Sequence, residues 1–167
     1  MITLVLGGAR SGKSAVAEAL VARSGRSVTY VATADPDHDP EFLSRVAQHR
    51  QRRPSDWVTV ECGVELAAVV AELGGVVLID SLGAWLARWP DFAANVATLL
   101  EALERVRGDV VVVVSDEVGL GVHPTSEVGR AYRDALGTLN QSVGDRADTV
   151  LLVVAGQVLA LKGGHHS

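Results

Sequence analysis

Two stretches of this sequence hold residues whose types and spacing could do chemistry. The first is Gly7-Gly8-Ala9-Arg10-Ser11-Gly12-Lys13-Ser14, the pattern G-x-x-x-x-G-K-S, entered from the apolar run Ile2 to Leu6 and followed by the helix-compatible Ala15 to Leu20. Gly7 and Gly12 let the backbone curl so that successive N–H groups face phosphate oxygens, and a helix starting near Lys13 adds its positive dipole end. Lys13 would neutralise the β- and γ-phosphates of a nucleoside triphosphate, and the Ser14 hydroxyl would sit on Mg²⁺. A glycine-rich turn without ligand would share the pattern, but the strand before it and the helix after it are the setting of a phosphate-binding loop.

The second stretch runs from Arg45 to Trp57 and contains His49, Arg50, Gln51, Arg52 and Arg53. Imidazole is a nucleophile at neutral pH, and a nitrogen–phosphorus bond is labile enough to carry a group if nearby cations hold the phosphate charge. His49 beside three arginines meets that requirement. Spacing alone also allows a plainer reading, an exposed or capping histidine on a solvated, charged helix face.

The elements that must position these groups are legible as short Val/Leu/Ile-rich runs at Thr3 to Leu6, Val28 to Ala32, Val76 to Asp80, Val110 to Ser115 and Thr149 to Val154. Helix-compatible stretches separate them: Lys13 to Ser24, about Pro40 to Arg53, Val64 to Leu73, Phe92 to Arg107 and Glu127 to Asp145. Continuous apolar strands alternating with helices predict an α/β fold, a mostly parallel sheet covered on both faces. After Val154 only Ala155-Gly156 precedes Val158 to Leu161, too short for a crossover, so a hairpin places an antiparallel strand at the sheet edge. Residues 1–162 read as one domain and 163–167 as a flexible tail.

Asp80 ends a buried strand, where an acid can hold the Mg²⁺ shell beside a phosphate-binding loop; the alternative is a cap on the helix that follows Ser81-Leu82. Ser115-Asp116-Glu117 closes another strand and leads into a glycine-bearing loop at the carboxyl edge, where ligands of such folds lie. Glu117 could position a substrate hydroxyl or a water, or be an exposed loop acid. Arg130 and Asp134 have the i,i+4 spacing of a surface ion pair.

The chain has 167 residues, a formal net charge of −5 and one cysteine, Cys62. That length can bury roughly two thirds of the unfolded surface without a disulfide or structural metal. The acidic balance argues against a general nucleic-acid surface, and a lone cysteine suits a reducing compartment. No apolar run approaches the ~18 residues of a membrane span, and the opening residues lack a basic and long apolar leader. The expected setting is cytoplasmic.

These blocks together resemble the bifunctional adenosylcobinamide kinase / adenosylcobinamide-phosphate guanylyltransferase family of cobalamin biosynthesis along nearly the whole chain. The resemblance rests on Gly7 to Ser14, Tyr30 to Ala34, Arg45 to His49 with Arg53-Pro54 and Trp57, Thr59 to Glu61, and Leu78 to Leu82 with Trp85-Leu86. It continues through Ser115 to Gly121, Arg130 with Arg133-Asp134, Gly137 with Asn140-Gln141, Ala147-Asp148 and Val153 to Gly156. It implies a RecA-like P-loop domain, reported to assemble as trimers, with ATP, GTP and adenosylcobinamide as substrates and Mg²⁺ as the metal. The nucleophile would fall on His49, and the nucleotide contacts on Gly7 to Ser14, Ala32, Thr33, Ala34, Arg50 to Arg53, Glu61 and Asp80. The chain departs from the family pattern at Ser81 and Gly83, where Cys and Thr are common, at Asp116, where Asn is, and at His123, which replaces an apolar residue. Two other readings use the same loop: a single-activity small-molecule kinase, and a nucleotide-dependent switch or binding subunit.

Overall fold

The computed structural model describes residues 1–34, 54–106 and 109–163. Seven strands form one sheet in the order β3-β2-β4-β5-β1-β6-β7. They are β1 (Ile2–Gly7), β2 (Val28–Ala32), β3 (Val58–Glu61), β4 (Val76–Asp80), β5 (Val110–Asp116), β6 (Thr149–Val154) and β7 (Gln157–Lys162). Every pairing is parallel except β6 with β7. The central strands can be apolar on both faces because both faces are covered. On one side Val5, Tyr30, Leu78, Val112 and Val114 pack against Ala17 and Val21 of α1 (Lys13–Ala22).

On the other side Leu4, Ile79, Val111 and Val113 meet four helices: α2 (Leu66–Ala71), α3 (Leu82–Ala87), α4 (Val96–Arg105) and α5 (Glu127–Arg146). α5 contributes Leu136, Leu139 and Val143, all fully buried. Each such side chain taken from water is worth about 1.5–3 kcal/mol, so this face of the sheet fixes where α5 can lie.

The doubly wound architecture and the antiparallel edge strand are as expected. β3 is the strand the apolar runs did not announce: it is four residues long, at the sheet edge, and its side chains are mostly exposed. Its signal was the alternation Val58-Thr59-Val60-Glu61, not a continuous apolar run. The crossover expected at about Pro40 to Arg53, and the tail beyond Gly163, lie outside the described residues. No helix among the described residues is long and apolar enough to cross a membrane.

Parallel strands bring their carboxyl ends to one edge, and the register shows which residues share it. Gly7 is level with Asp116, Val114 with Asp80, Asp80 with Ala32, and Ala32 with Glu61.

Candidate functional site

The loop from Gly7 to Ser14 leaves β1 and enters α1 at Gly12, which has no side chain to cap the helix and stands at φ of 96°. Arg10 is also left-handed, at φ of 58°. A Cβ on Gly7 would run into the Ser11 hydroxyl, so glycine is required there by close contact. The Lys13 N–H donates to Ser11 Oγ at 3.3 Å and the Ser11 N–H to Gly8 O at 3.2 Å. From outside, Gly156 in the β6–β7 turn donates its N–H to Ser11 O at 2.8 Å. Ala155 and Gly156 both have positive φ, which turns that hairpin tightly enough to brace the loop.

Lys13 Nζ is held by two oxygens. It forms an ion pair with Asp116 Oδ1 at 2.7 Å and donates to Gly8 O at 3.3 Å. Asp116 is positioned by its backbone: its carbonyl accepts from Asn140 Nδ2 at 3.0 Å, and Asn140 Oδ1 accepts from Ser115 Oγ at 2.6 Å. Both side chains of that clamp are buried. Gly83, at the start of α3, completes the surroundings. A Cβ there would collide with Asp116 Oδ2 and stand 2.8 Å from the Tyr132 hydroxyl. Burial, and then the Asp116 charge, push the Tyr132 hydroxyl up to about 12.

The acid that meets the loop is therefore Asp116, not its neighbour. Glu117 Oε1 accepts the N–H groups of Gly119 and Leu120, which makes it a turn-forming acid. Ser81, not Asp80, caps α3, its side chain accepting from Ala84 N at 3.3 Å. This removes the capping alternative for Asp80, whose Oδ2 accepts from Tyr30 OH at 2.7 Å.

Thr33 is fully buried, and its hydroxyl both donates to Ser81 O and accepts from Ser81 N. It ties the ends of β2 and β4 together, so a ligand at this position would meet backbone, with Ala32 and Ala34 to either side. Glu61 ends β3, four strands from the loop. At ~4.8 Å per strand that is about 19 Å, too far for a phosphate on the loop but within the span of an extended nucleotide.

Arg130 does not pair with Asp134. Its guanidinium donates to Pro124 O and Thr125 O, while Arg133 takes Asp134 at 2.8 Å and His123 Nδ1 at 2.9 Å. His49, Arg50, Gln51, Arg52 and Arg53 lie outside the described residues.

Among the described residues no cluster of three or more His, Cys, Asp and Glu could hold a metal alone. Mg²⁺ does not need one: it keeps several waters and takes one or two protein oxygens beside substrate phosphates. Ser14, in the first turn of α1, and Asp80, at the end of β4, offer such hard oxygen donors. The donor set fits that ion.

The model of one family, CobU, described as cobinamide kinase / cobinamide phosphate guanyltransferase, matches residues 3–161. The chain belongs to this family. It is 42% identical to the bifunctional adenosylcobalamin biosynthesis protein CobP of Pseudomonas aeruginosa, over 98% of both chains. It is also 35% identical to the bifunctional adenosylcobalamin biosynthesis protein CobU of Escherichia coli, over 97% of this chain and all of that one.

Members of the CobU family are thus named as kinase and guanylyltransferase in one chain. Solved structures with the same fold include the flagellar accessory protein FlaH of Methanocaldococcus jannaschii, with a TM-score of 0.54 at 17% identity over 99% of this chain and 81% of that one. A type III secretion ATPase superposes with a TM-score of 0.55 at 12% identity, over 90% of this chain and 50% of its own. These two likenesses concern the P-loop NTPase fold alone.

Proposed function

We propose that this chain carries out two successive reactions on one acceptor. In the first, the aminopropanol hydroxyl of adenosylcobinamide attacks the γ-phosphorus of a nucleoside triphosphate. A new oxygen–phosphorus bond forms as the bond to the nucleoside diphosphate breaks. In the second, an imidazole nitrogen of His49 attacks the α-phosphorus of GTP and pyrophosphate leaves. A phosphate oxygen of adenosylcobinamide phosphate then displaces the imidazole, giving adenosyl-GDP-cobinamide and free His49.

The observation that carries this reading is family membership across residues 3–161, joined to a loop whose lysine sits at the carboxyl edge of a parallel sheet. Gly7 to Ser14 hold the phosphates through main-chain N–H groups, and Lys13 exchanges Asp116 for phosphate oxygens. Positioning and charge neutralisation supply most of the catalysis in such transfers. Ser14 and Asp80 would hold Mg²⁺, which when bound neutralises charge on the phosphates. Arg50, Arg52 and Arg53 steady the phosphate on His49, with Gln51 beside them, and Ala32 to Ala34 and Glu61 contact the remainder of the nucleotide.

We also read the chain as a homo-oligomer, a trimer by resemblance. In support, β7 is an edge strand, unpaired on its outer side among the described residues, whose Val158, Leu159 and Leu161 are each at least half exposed.

The test is to supply γ-labelled ATP and, separately, α-labelled GTP with adenosylcobinamide and to separate the corrinoids. The reading requires label from both nucleotides on the corrinoid, the second only after phosphorylation. Label from ATP alone would reduce the chain to a single-activity kinase.

A further inference from the structure

The two carboxylates and one indole of the Pro90–Phe92 turn and the start of α5 form a groove that the catalytic loop does not use. It encloses about 410 Å³ and is lined by Trp89, Asp91, Phe92, Glu127, Val128 and Ala131. That is the lower part of the range of about 300–1,000 Å³ typical of small-molecule sites, enough for one edge of a macrocycle and not for the whole of it. We propose that this groove binds the corrin edge of the acceptor, so that its aminopropanol arm reaches past Tyr132 to Lys13. The proposal rests on the reading above and names the acceptor subsite for it.

Charge selects the occupant. The ionisable groups among the lining residues are both acids, Asp91 and Glu127, so the groove repels a polyphosphate. A cobinamide has the opposite character: a cationic cobalt(III) macrocycle with an apolar rim and carboxamide side arms whose N–H groups suit carboxylates. Val128 is 68% exposed and supplies the apolar floor that such a rim requires.

The tryptophans point to the same place. Trp85 is buried, with its N–H given to Val64 O, and Trp57 packs against the α1 side of the sheet. Trp89 lines the groove, and its Nε1 is covered and has no hydrogen-bond partner among the described residues. A buried donor without an acceptor costs stability, and the carbonyl of a carboxamide would supply the missing partner once the turn admits it.

The turn itself is strained. Asp91 and Phe92 stand consecutively at φ of 52° and 57°, in the left-handed region that non-glycine residues seldom occupy. Such strain gathers at ligand-binding turns.

The groove also leads to the loop. The Phe92 ring meets Tyr132 edge-on at 5.3 Å, and the Tyr132 hydroxyl lies at the open side-chain position of Gly83. Asp116 reaches the same position with one oxygen and holds Lys13 with the other. An acceptor seated in the groove is therefore separated from the lysine by one tyrosine and one carboxylate.

The decisive variant is Ala131→Arg, at an exposed position inside α5 where arginine suits a helix and can pair with Glu127 at i,i+4. It fills the groove and offsets one of its two negative charges. In the kinase assay the KM for adenosylcobinamide should rise about tenfold, while the KM for the triphosphate moves less than about twofold. A second readout is direct binding of adenosylcobinamide by equilibrium dialysis, in which Ala131→Arg should raise the Kd about tenfold. An unchanged acceptor KM, or an unchanged Kd, in Ala131→Arg overturns the groove. If the unaltered protein does not phosphorylate adenosylcobinamide at all, the functional reading falls instead, which keeps the two failures apart.

Discussion

Lys13 Nζ and Asp116 Oδ1 stand 2.7 Å apart, with the two side chains only 13% and 30% exposed. The loop lysine is thus already neutralised before any nucleotide arrives, and a triphosphate must displace a carboxylate to reach it. Partly screened pairs of this kind are worth about 1 kcal/mol. Asp116→Ala should therefore tighten a non-hydrolysable GTP analogue roughly five-fold by titration calorimetry. The Asn140 clamp acts on the Asp116 carbonyl, so the strand end should stay in place. Weaker binding in the variant would mean that Asp116 assists the nucleotide and does not compete with it.

Lys13→Ala should lower triphosphate turnover by about a hundredfold or more, because the lysine neutralises charge that develops between the β- and γ-phosphates. The fold should persist, since Lys13 lies at a loop end and contributes to neither apolar cluster. Circular dichroism and turnover measured on one preparation separate these effects. Normal turnover would show that the loop does not hold the reacting phosphates.

Gly83 and Asp116 should be coupled in stability. Adding a methyl group at Gly83 forces Asp116 Oδ2 and the Tyr132 hydroxyl to move, and overpacking of this kind costs about 1–3 kcal/mol. In urea unfolding, the loss caused by Gly83→Ala should be partly recovered in Gly83→Ala/Asp116→Ala. Strict additivity would mean that the carboxylate is not what fills the space.

Tyr132 gives a pH signature. Its hydroxyl is raised from 10.0 to about 12 in the folded chain, first by burial and then by Asp116. Below pH 10 it is protonated in both states and its contribution is intact. Between pH 10 and about 12 the unfolded chain loses the proton first and binds fewer protons, so stability falls as pH rises. Tyr132→Phe retains the ring against Phe92 and should flatten that part of the stability curve relative to the unaltered chain. Parallel curves would place the hydroxyl in water.

Much of this was legible in the chain itself, where residues state their own surroundings. Val110 to Val114, five β-branched residues in a row, has the composition of a strand buried on two faces, and G-x-x-x-x-G-K-S between strand and helix has few other uses. Contacts distant in sequence were not legible. Nothing local links Lys13 to Asp116, Gly156 to Ser11, or Asn140 to Ser115, and each is made by the sheet order β5-β1-β6 with α5 packed across it. Short-range rules also lost to nearer partners: Arg130 and Asp134 had helical spacing, but the carbonyls of Pro124 and Thr125 took the arginine. Gly83, visible in the sequence as a departure from a family pattern, acquires a physical reason only beside Asp116.

The most direct test of the central claim is made on GTP alone. Incubate the protein with Mg²⁺ and α-labelled GTP, denature it, and locate the label by peptide mapping. The account predicts one GMP per chain at most, acid-labile and alkali-stable as a phosphoramidate, carried by His49 and absent from His49→Ala, with pyrophosphate released in equal amount. Guanylyl transfer to adenosylcobinamide phosphate at full rate by His49→Ala, or an active protein that never carries covalent GMP, would contradict it.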